Sequence, residues 1–179
     1  LHVAADARLL GSDDPRDYRS IDPFVDATGQ TRGKSLIGAL DSARIAITGP
    51  GIIDGRGENF LAEHLAPNLE KWQIPPPERK ALGTDRPFLL RFVRSTDITL
   101  HDVQLRQPAA WTCHFFQCER ILASGISIYA HAHKNNDGID IDSSTHVLVE
   151  NCRIDTGDDA VCLKTTSPGP TSHVTVRDC

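Results

Sequence analysis

Methionine is missing from the sequence altogether, even at position 1, and the last residues, Val174-Thr175-Val176-Arg177-Asp178-Cys179, read as a strand running into the chain end. Both observations lead us to expect a piece cropped at both ends, 1–179 forming part of one domain. No apolar run approaches the roughly 20 residues that cross a bilayer, so no membrane partner is expected. The opening Leu1-His2-Val3-Ala4-Ala5-Asp6 has neither the basic region nor the apolar centre of a signal peptide. Basic blocks are also lacking. With 19 Lys plus Arg against 24 acids the formal charge is −5, which removes the nonspecific attraction to phosphates that nucleic-acid binders use. The five cysteines, at 113, 118, 152, 162 and 179, form no Cys-x-x-Cys pair and no ligand spacing with His. A zinc site and a dense disulfide framework are therefore unsupported, and most of these thiols should be buried as small hydrophobes. Neither a metal nor a cofactor is expected.

What the chain does contain is a repeat. Apolar-x-apolar triplets recur at Ile45-Ala46-Ile47, Ile98-Thr99-Leu100, Ile121-Leu122-Ala123, Val147-Leu148-Val149 and Val174-Thr175-Val176. Many are followed by a polar turn and a second short stretch such as Val103-Gln104-Leu105 or Ile126-Ser127-Ile128. Strands this short cannot each bury a face alone, but stacked coil on coil they share one apolar interior, which is the pattern of a β-solenoid. The step from Ile45 to Ile98 is about two coils long, and its excess falls in residues 55–87, which hold Trp72 and Pro75-Pro76-Pro77. We read 55–87 as an insertion loop whose middle, Glu58 to Leu69, forms a short helix before the prolines end it. Trp72 either anchors the loop or helps it shape a substrate groove.

Two segments align without a gap: Asn135-Asn136-Asp137-Gly138-Ile139-Asp140-Ile141-Asp142 and Thr156-Gly157-Asp158-Asp159-Ala160-Val161-Cys162-Leu163-Lys164. Asp137 falls on Asp159 and Asp142 on Lys164, one coil apart. Stacked strands lie about 4.8 Å apart, so Asp137, Asp158 and Asp159 should share one patch. Like charges this close cannot all ionise freely, and at least one acid should hold its proton to higher pH. Glycoside hydrolysis needs such a set, one carboxyl to protonate the leaving oxygen and an ionised one to activate water or attack the sugar carbon. Turn aspartates bonded to their own backbone, or Ca²⁺ ligands, are the alternatives. Strict alternation would turn Asp137 and Asp159 inward, where a bare carboxylate is not credible. They should therefore lie in the turns that enter the strands. The same parity points Asp140, Asp142, Cys162 and Lys164 outward, with Lys164 over Asp142 as a cross-strand pair or as a cation facing an anionic ligand.

These two stretches, with Ile47-Thr48-Gly49-Pro50-Gly51-Ile52-Ile53-Asp54-Gly55-Arg56-Gly57, Arg86-Pro87-Phe88-Leu89-Leu90-Arg91-Phe92 and Ala110-Trp111-Thr112-Cys113-His114, resemble glycoside hydrolase family 28, the polygalacturonase-like family of right-handed parallel β-helices. The resemblance implies hydrolysis of pectin-class polysaccharide, galacturonan or a rhamnogalacturonan relative, by single displacement with inversion. Asp158 would be the general acid, and Asp137 and Asp159 would hold and deprotonate the attacking water. Lys164 would face a substrate carboxylate. Asn135 matches the family's first Asn and would orient Asp137 or join a stacked Asn ladder; His114 would reach the cleft or pack against Trp111. The family's Gly-His-Gly and Arg-x-Lys motifs are not in this sequence, so this piece alone is expected to be inactive. By the same resemblance a secreted or periplasmic place is expected; a monomer without a cofactor is expected as well. A Ca²⁺-dependent polysaccharide lyase and a noncatalytic carbohydrate-binding β-helix are the competing readings.

Overall fold

The computed structural model describes residues 1–26 and 29–179. The chain winds as a right-handed parallel β-helix in which each rung contributes one strand to each of three sheets. The first sheet stacks Ala43–Thr48, Thr96–His101, Glu119–Ser124, Thr145–Glu150 and Ser172–Arg177. The second stacks Arg8–Leu10, Ile52–Asp54, Gln104–Arg106, Ser127–Ala130 and Arg153–Thr156. The third stacks Thr31–Leu40, Phe88–Val93, Cys113–Phe116, Ile139–Asp142 and Val161–Lys164, and Ser20–Val25 joins its edge antiparallel. The expected triplets become columns: Ile45, Ile98, Ile121, Val147 and Val174 lie in register on successive rungs. Similar columns run through Ile53, Leu105, Ile128 and Ile154, and through Phe92, Phe115 and Ile141. Phe92 and Phe115 stack with centroids 5.4 Å apart inside this core.

A regular corner sets that register. The second residue of each strand in the first sheet, Arg44, Asp97, Arg120, His146 or His173, has a left-handed backbone with φ between 54° and 58°. Such a conformation costs energy for a residue with a Cβ, and here it recurs on every rung. The column is held outside by Arg120, whose Nε donates to Asp97 at 2.7 Å, and by His146 stacked on His173.

The insertion lies where the sequence puts it, but it holds two helices. A 3-10 turn at Gly57–Phe60 leads into a helix over Ala62–Lys71, and a second helix runs over Pro76–Thr84. The first helix ends before the prolines, and Pro76 starts the second, because a proline at the first helical position gives up only an N–H that would be unpaired anyway. Trp72 is half-buried against Leu65, Leu69 and Ile74 of the insertion itself, and the Arg16 guanidinium from the N-terminal part of the chain lies 5.3 Å from its ring centroid, so it packs the insertion together and ties it to that segment. Among the described residues no helix is long and apolar enough to cross a membrane. All five cysteines are free, with Cys113, Cys118 and Cys152 buried.

Candidate active site

The acids occupy the turns that enter the third sheet, just before Ile139–Asp142 and Val161–Lys164. Backbone bonds fix neighbouring rungs to each other there: Thr112 N donates to Asp137 O at 2.8 Å, Gly138 N to Asp159 O at 2.9 Å and Ile139 N to Ala160 O at 3.0 Å. Glycine is required at 138, since a Cβ would stand 2.4 Å from Ala160 O and 2.8 Å from Ile154 Cγ2. The turn is clamped by Asn136, which is fully buried. Its Oδ1 accepts from His133 N at 2.5 Å, and its Nδ2 donates to Pro108 O and Ala110 O at 3.0 and 2.7 Å. Asn135 faces another way and accepts from Arg86 Nη2 at 2.7 Å. Asn136, not Asn135, is thus the side chain that holds this turn, and no periodic signal separates two adjacent asparagines in a turn.

Asp158 and Asp159 are exposed, and Asp159 N donates to Asp158 Oδ1 at 3.0 Å. Asp137 is only 5% exposed, contrary to the expectation that a bare carboxylate would avoid burial. What makes its burial possible is Lys164, whose Nζ lies 3.6 Å from Asp137 Oδ2 and 2.9 Å from Asp140 Oδ1. The ammonium also donates to Cys162 Sγ at 3.2 Å and stands 4.5 Å from the centroid of Trp111. Lys164 keeps its backbone register with Asp142, yet its charge serves Asp140 and Asp137 instead. Burial, and then the Asp158 charge, push the Asp137 carboxyl above the ordinary range against the pull of Lys164. Burial and the neighbouring Asp137 push Asp140 well above it. Burial works against the Lys164 charge, but Asp140 more than offsets this and holds the ammonium above its usual value. Asp140 was read from parity as merely outward-facing; it is wholly buried and belongs to the acid cluster.

His114 does not reach the cleft. It is fully enclosed, accepts from Arg91 Nη1 at 2.5 Å through Nδ1, and presents Nε2 to Asp142 Oδ2 at 3.5 Å. Asp142 also accepts from Thr166 N and Oγ1, at 2.9 and 2.5 Å. Arg91 is buried too; it donates to Ile21 O and Asp22 O, and its guanidinium lies 4.9 Å from the Phe24 centroid. Phe24, from the antiparallel edge strand, covers this face and stacks on Phe88 and Phe116. Burial depresses His114 to about 4, so the ring is neutral. Burial would raise Asp142, but the hydrogen bonds from His114 and Thr166 outweigh it and bring the carboxyl to about 2.

One oxygen each of Asp137 and Asp140 and the Cys162 sulfur lie within 4.8 Å of one another, a spacing that a cation can use. Lys164 already supplies a positive charge to the same carboxylates, and a divalent ion would be repelled by it. The donor set therefore suits an internal ion pair better than a metal.

Compared with known proteins, residues 24–177 match the family model described as "Glycosyl hydrolases family 28". A Vitis vinifera protein named "Probable polygalacturonase" is 31% identical over 92% of this chain and 32% of its own length. The exo-poly-alpha-D-galacturonosidase of Dickeya chrysanthemi is 27% identical over 90% of this chain and 32% of its own. In three dimensions the hyperthermoactive exopolygalacturonase of Thermotoga maritima superposes with a TM-score of 0.75 at 25% identity, covering 99% of this chain and 47% of that one. The chain thus spans about a third of the length of the curated relatives it matches.

Proposed function

Because the chain belongs to the glycosyl hydrolases family 28, we propose that the whole protein hydrolyses glycosidic bonds in pectin-class polysaccharide, galacturonan or rhamnogalacturonan, with inversion. The observation that carries the reading is the stacking of two rungs, through Gly138 N and Asp159 O, that sets the Asp137 turn against Asp158 and Asp159. In the proposed step Asp158 gives its proton to the glycosidic oxygen as the bond to the anomeric carbon breaks. A water on the opposite face of the sugar forms the new bond and passes a proton to the carboxylates of Asp137 and Asp159. Exposure of Asp158 suits the acid, which must touch the leaving oxygen, and the recessed Asp137 suits a group that meets only water. Lys164, held inside by Asp140, supports the ionised form of Asp137 in place of gripping substrate. A polymer of this kind is met outside the cell, in plant cell wall, so we assign the whole protein an extracellular or periplasmic place. Monomeric action fits a self-contained acid cluster on one chain.

The test is Asp158→Asn in the full-length protein. Hydrolysis of polygalacturonate, followed by reducing-end release, should fall by roughly 10²–10⁴, the usual worth of a general acid. Turnover unchanged by the substitution would remove Asp158 from the mechanism.

A further inference from the structure

Asp140 has no part in the proposed hydrolysis, yet it is wholly buried beside Asp137, which does. Its two oxygens meet different neighbours. Oδ1 takes the Lys164 ammonium at 2.9 Å, whereas Oδ2 is enclosed and no N–H or O–H of the described residues donates to it. Asp137 repeats the pattern: Lys164 stands 3.6 Å from its Oδ2, while its Oδ1 is enclosed and without a donor. The two carboxyl groups are nevertheless in hydrogen-bond contact with each other. Two carboxylates cannot make that bond, because the ionised form only accepts. One of the pair must carry the hydrogen.

Charge leads to the same place. Around Asp140 stand Asp137 from the turn before it, Lys164 and Cys162 from the next rung, and Cys113 and His114 from the previous one. Burial raises both thiols, and His114 is neutral, so none of these three carries charge. One ammonium is left with two carboxyls in a place nearly closed to water. With both ionised the cluster would hold an uncompensated buried charge, which is expensive; with one protonated it is neutral. Asp140 is the more enclosed of the two, 0% exposed against 5%, and is the one pushed well above the ordinary carboxyl range. We propose that Asp140 is a positioning residue for hydrolysis: as a neutral carboxylic acid it donates its O–H to Asp137, and so keeps the water-activating carboxylate ionised and fixed in direction. The inference rests on the hydrolase reading for the role of Asp137 and adds to it a buried group behind that carboxylate. Oδ1 of Asp140 accepts from Lys164, and Oδ2 carries the hydrogen to Asp137 Oδ1, which pairs the two oxygens that have no other partner. An acid kept neutral by a dry site can serve as a donor in this way. The hydrogen stays on Asp140 throughout, and the proton from water goes to Asp137 and Asp159.

The experiment compares the full-length protein with Asp140→Asn and Asp140→Leu. Asparagine keeps a donor and an acceptor in nearly the same shape; leucine keeps neither. Infrared spectra without substrate, at about pH 8 where ordinary carboxyls are ionised, should show the carbonyl stretch of a protonated carboxylic acid in the parent and in neither variant. A parent without that band, or a band that survives both substitutions, overturns the proposal. The second measurement is the pH profile of kcat/KM on polygalacturonate. Asp140→Leu removes the donor and should move the acidic limb up by about one unit, a tenfold loss on that side, while Asp140→Asn leaves the limb at the parent's position. Were Asp140 ionised, Asp140→Asn would take a negative charge from beside Asp137 and leave Lys164 wholly to it, so the limb would move down. That movement overturns the proposal, as does a limb that Asp140→Leu leaves in place. The infrared band and the asparagine variant decide the matter even where the leucine variant fails to fold. A full-length protein that shows the band and its loss but cleaves no polygalacturonate would sink the hydrolase reading and leave the bond from Asp140 to Asp137 standing.

Discussion

With its ammonium 2.9 Å from Asp140 and 3.6 Å from Asp137, Lys164 controls the protonation of both carboxyls. Asp137 is already raised by burial and by Asp158, with Lys164 opposing. Replacing Lys164 by Met removes that opposition, so the Asp137 carboxyl should rise further and its ionised form should need a more alkaline solution. In the full-length enzyme we expect the acidic limb of the kcat/KM profile to move to higher pH in Lys164→Met, as titrated with polygalacturonate. A limb that stays in place would show that Asp137 is not the group whose ionisation limits the rate. Among single residues, Asp137 and Asp159 were legible because they repeat at a shift of one rung, and Asp158 as the neighbour of Asp159. Asp140 was not, since period-two alternation distinguishes inward from outward only. It cannot tell an outward position open to water from one covered by other parts of the chain.

Strands and turns carry the second scale. Gly138 sits where two rungs come closest beside the acids, and a methyl group added there meets the backbone of Ala160 at 2.4 Å. A backbone oxygen cannot swing aside, so Gly138→Ala must separate the rungs or tilt the turn. We expect a loss of roughly 1–3 kcal/mol in a urea melt, as for overpacking, together with a drop in hydrolysis larger than the stability loss explains. Equal activity of the folded fraction would show that the Asp137 turn tolerates displacement. The strands themselves were readable from their apolar triplets. The left-handed corners at Asp97, Arg120, His146 and His173 were not, because no glycine marks them. The Pro75-Pro76-Pro77 run marked the end of the first helix but hid the second, because a proline can open a helix at its first residue.

Over the whole molecule, acid sensitivity follows from the buried relay of Arg91, His114 and Asp142. His114 titrates near 4 in the fold against about 6.5 unfolded, so the unfolded chain takes up the proton first. Its contribution is complete above pH 6.5 and is lost as pH falls toward 4, a change of about 3 kcal/mol. Asp142, held at about 2, continues the loss at still lower pH, while the raised Asp140 acts in the opposite sense, favouring the fold as it takes up its proton. Chemical denaturation between pH 7 and 4 reads the sum of these opposed contributions, to which His133, also depressed to about 4, adds in the sense of His114; His114→Gln should make stability fall less, or rise more, than in the parent as pH drops, even if it lowers stability overall. An equally steep slope in the variant would place the acid sensitivity elsewhere. By itself the sequence determined the solenoid and the alignment of Asp137 with Asp159, because both rest on a period that local patterning repeats along the chain, and it located the insertion as the break in that period. Tertiary structure alone decided which outward positions are dry and which cation meets which acid. Those outcomes depend on Phe24 and Trp111 arriving from other parts of the chain, and the protonation of a carboxyl follows the water and charge around it, not its place in a repeat.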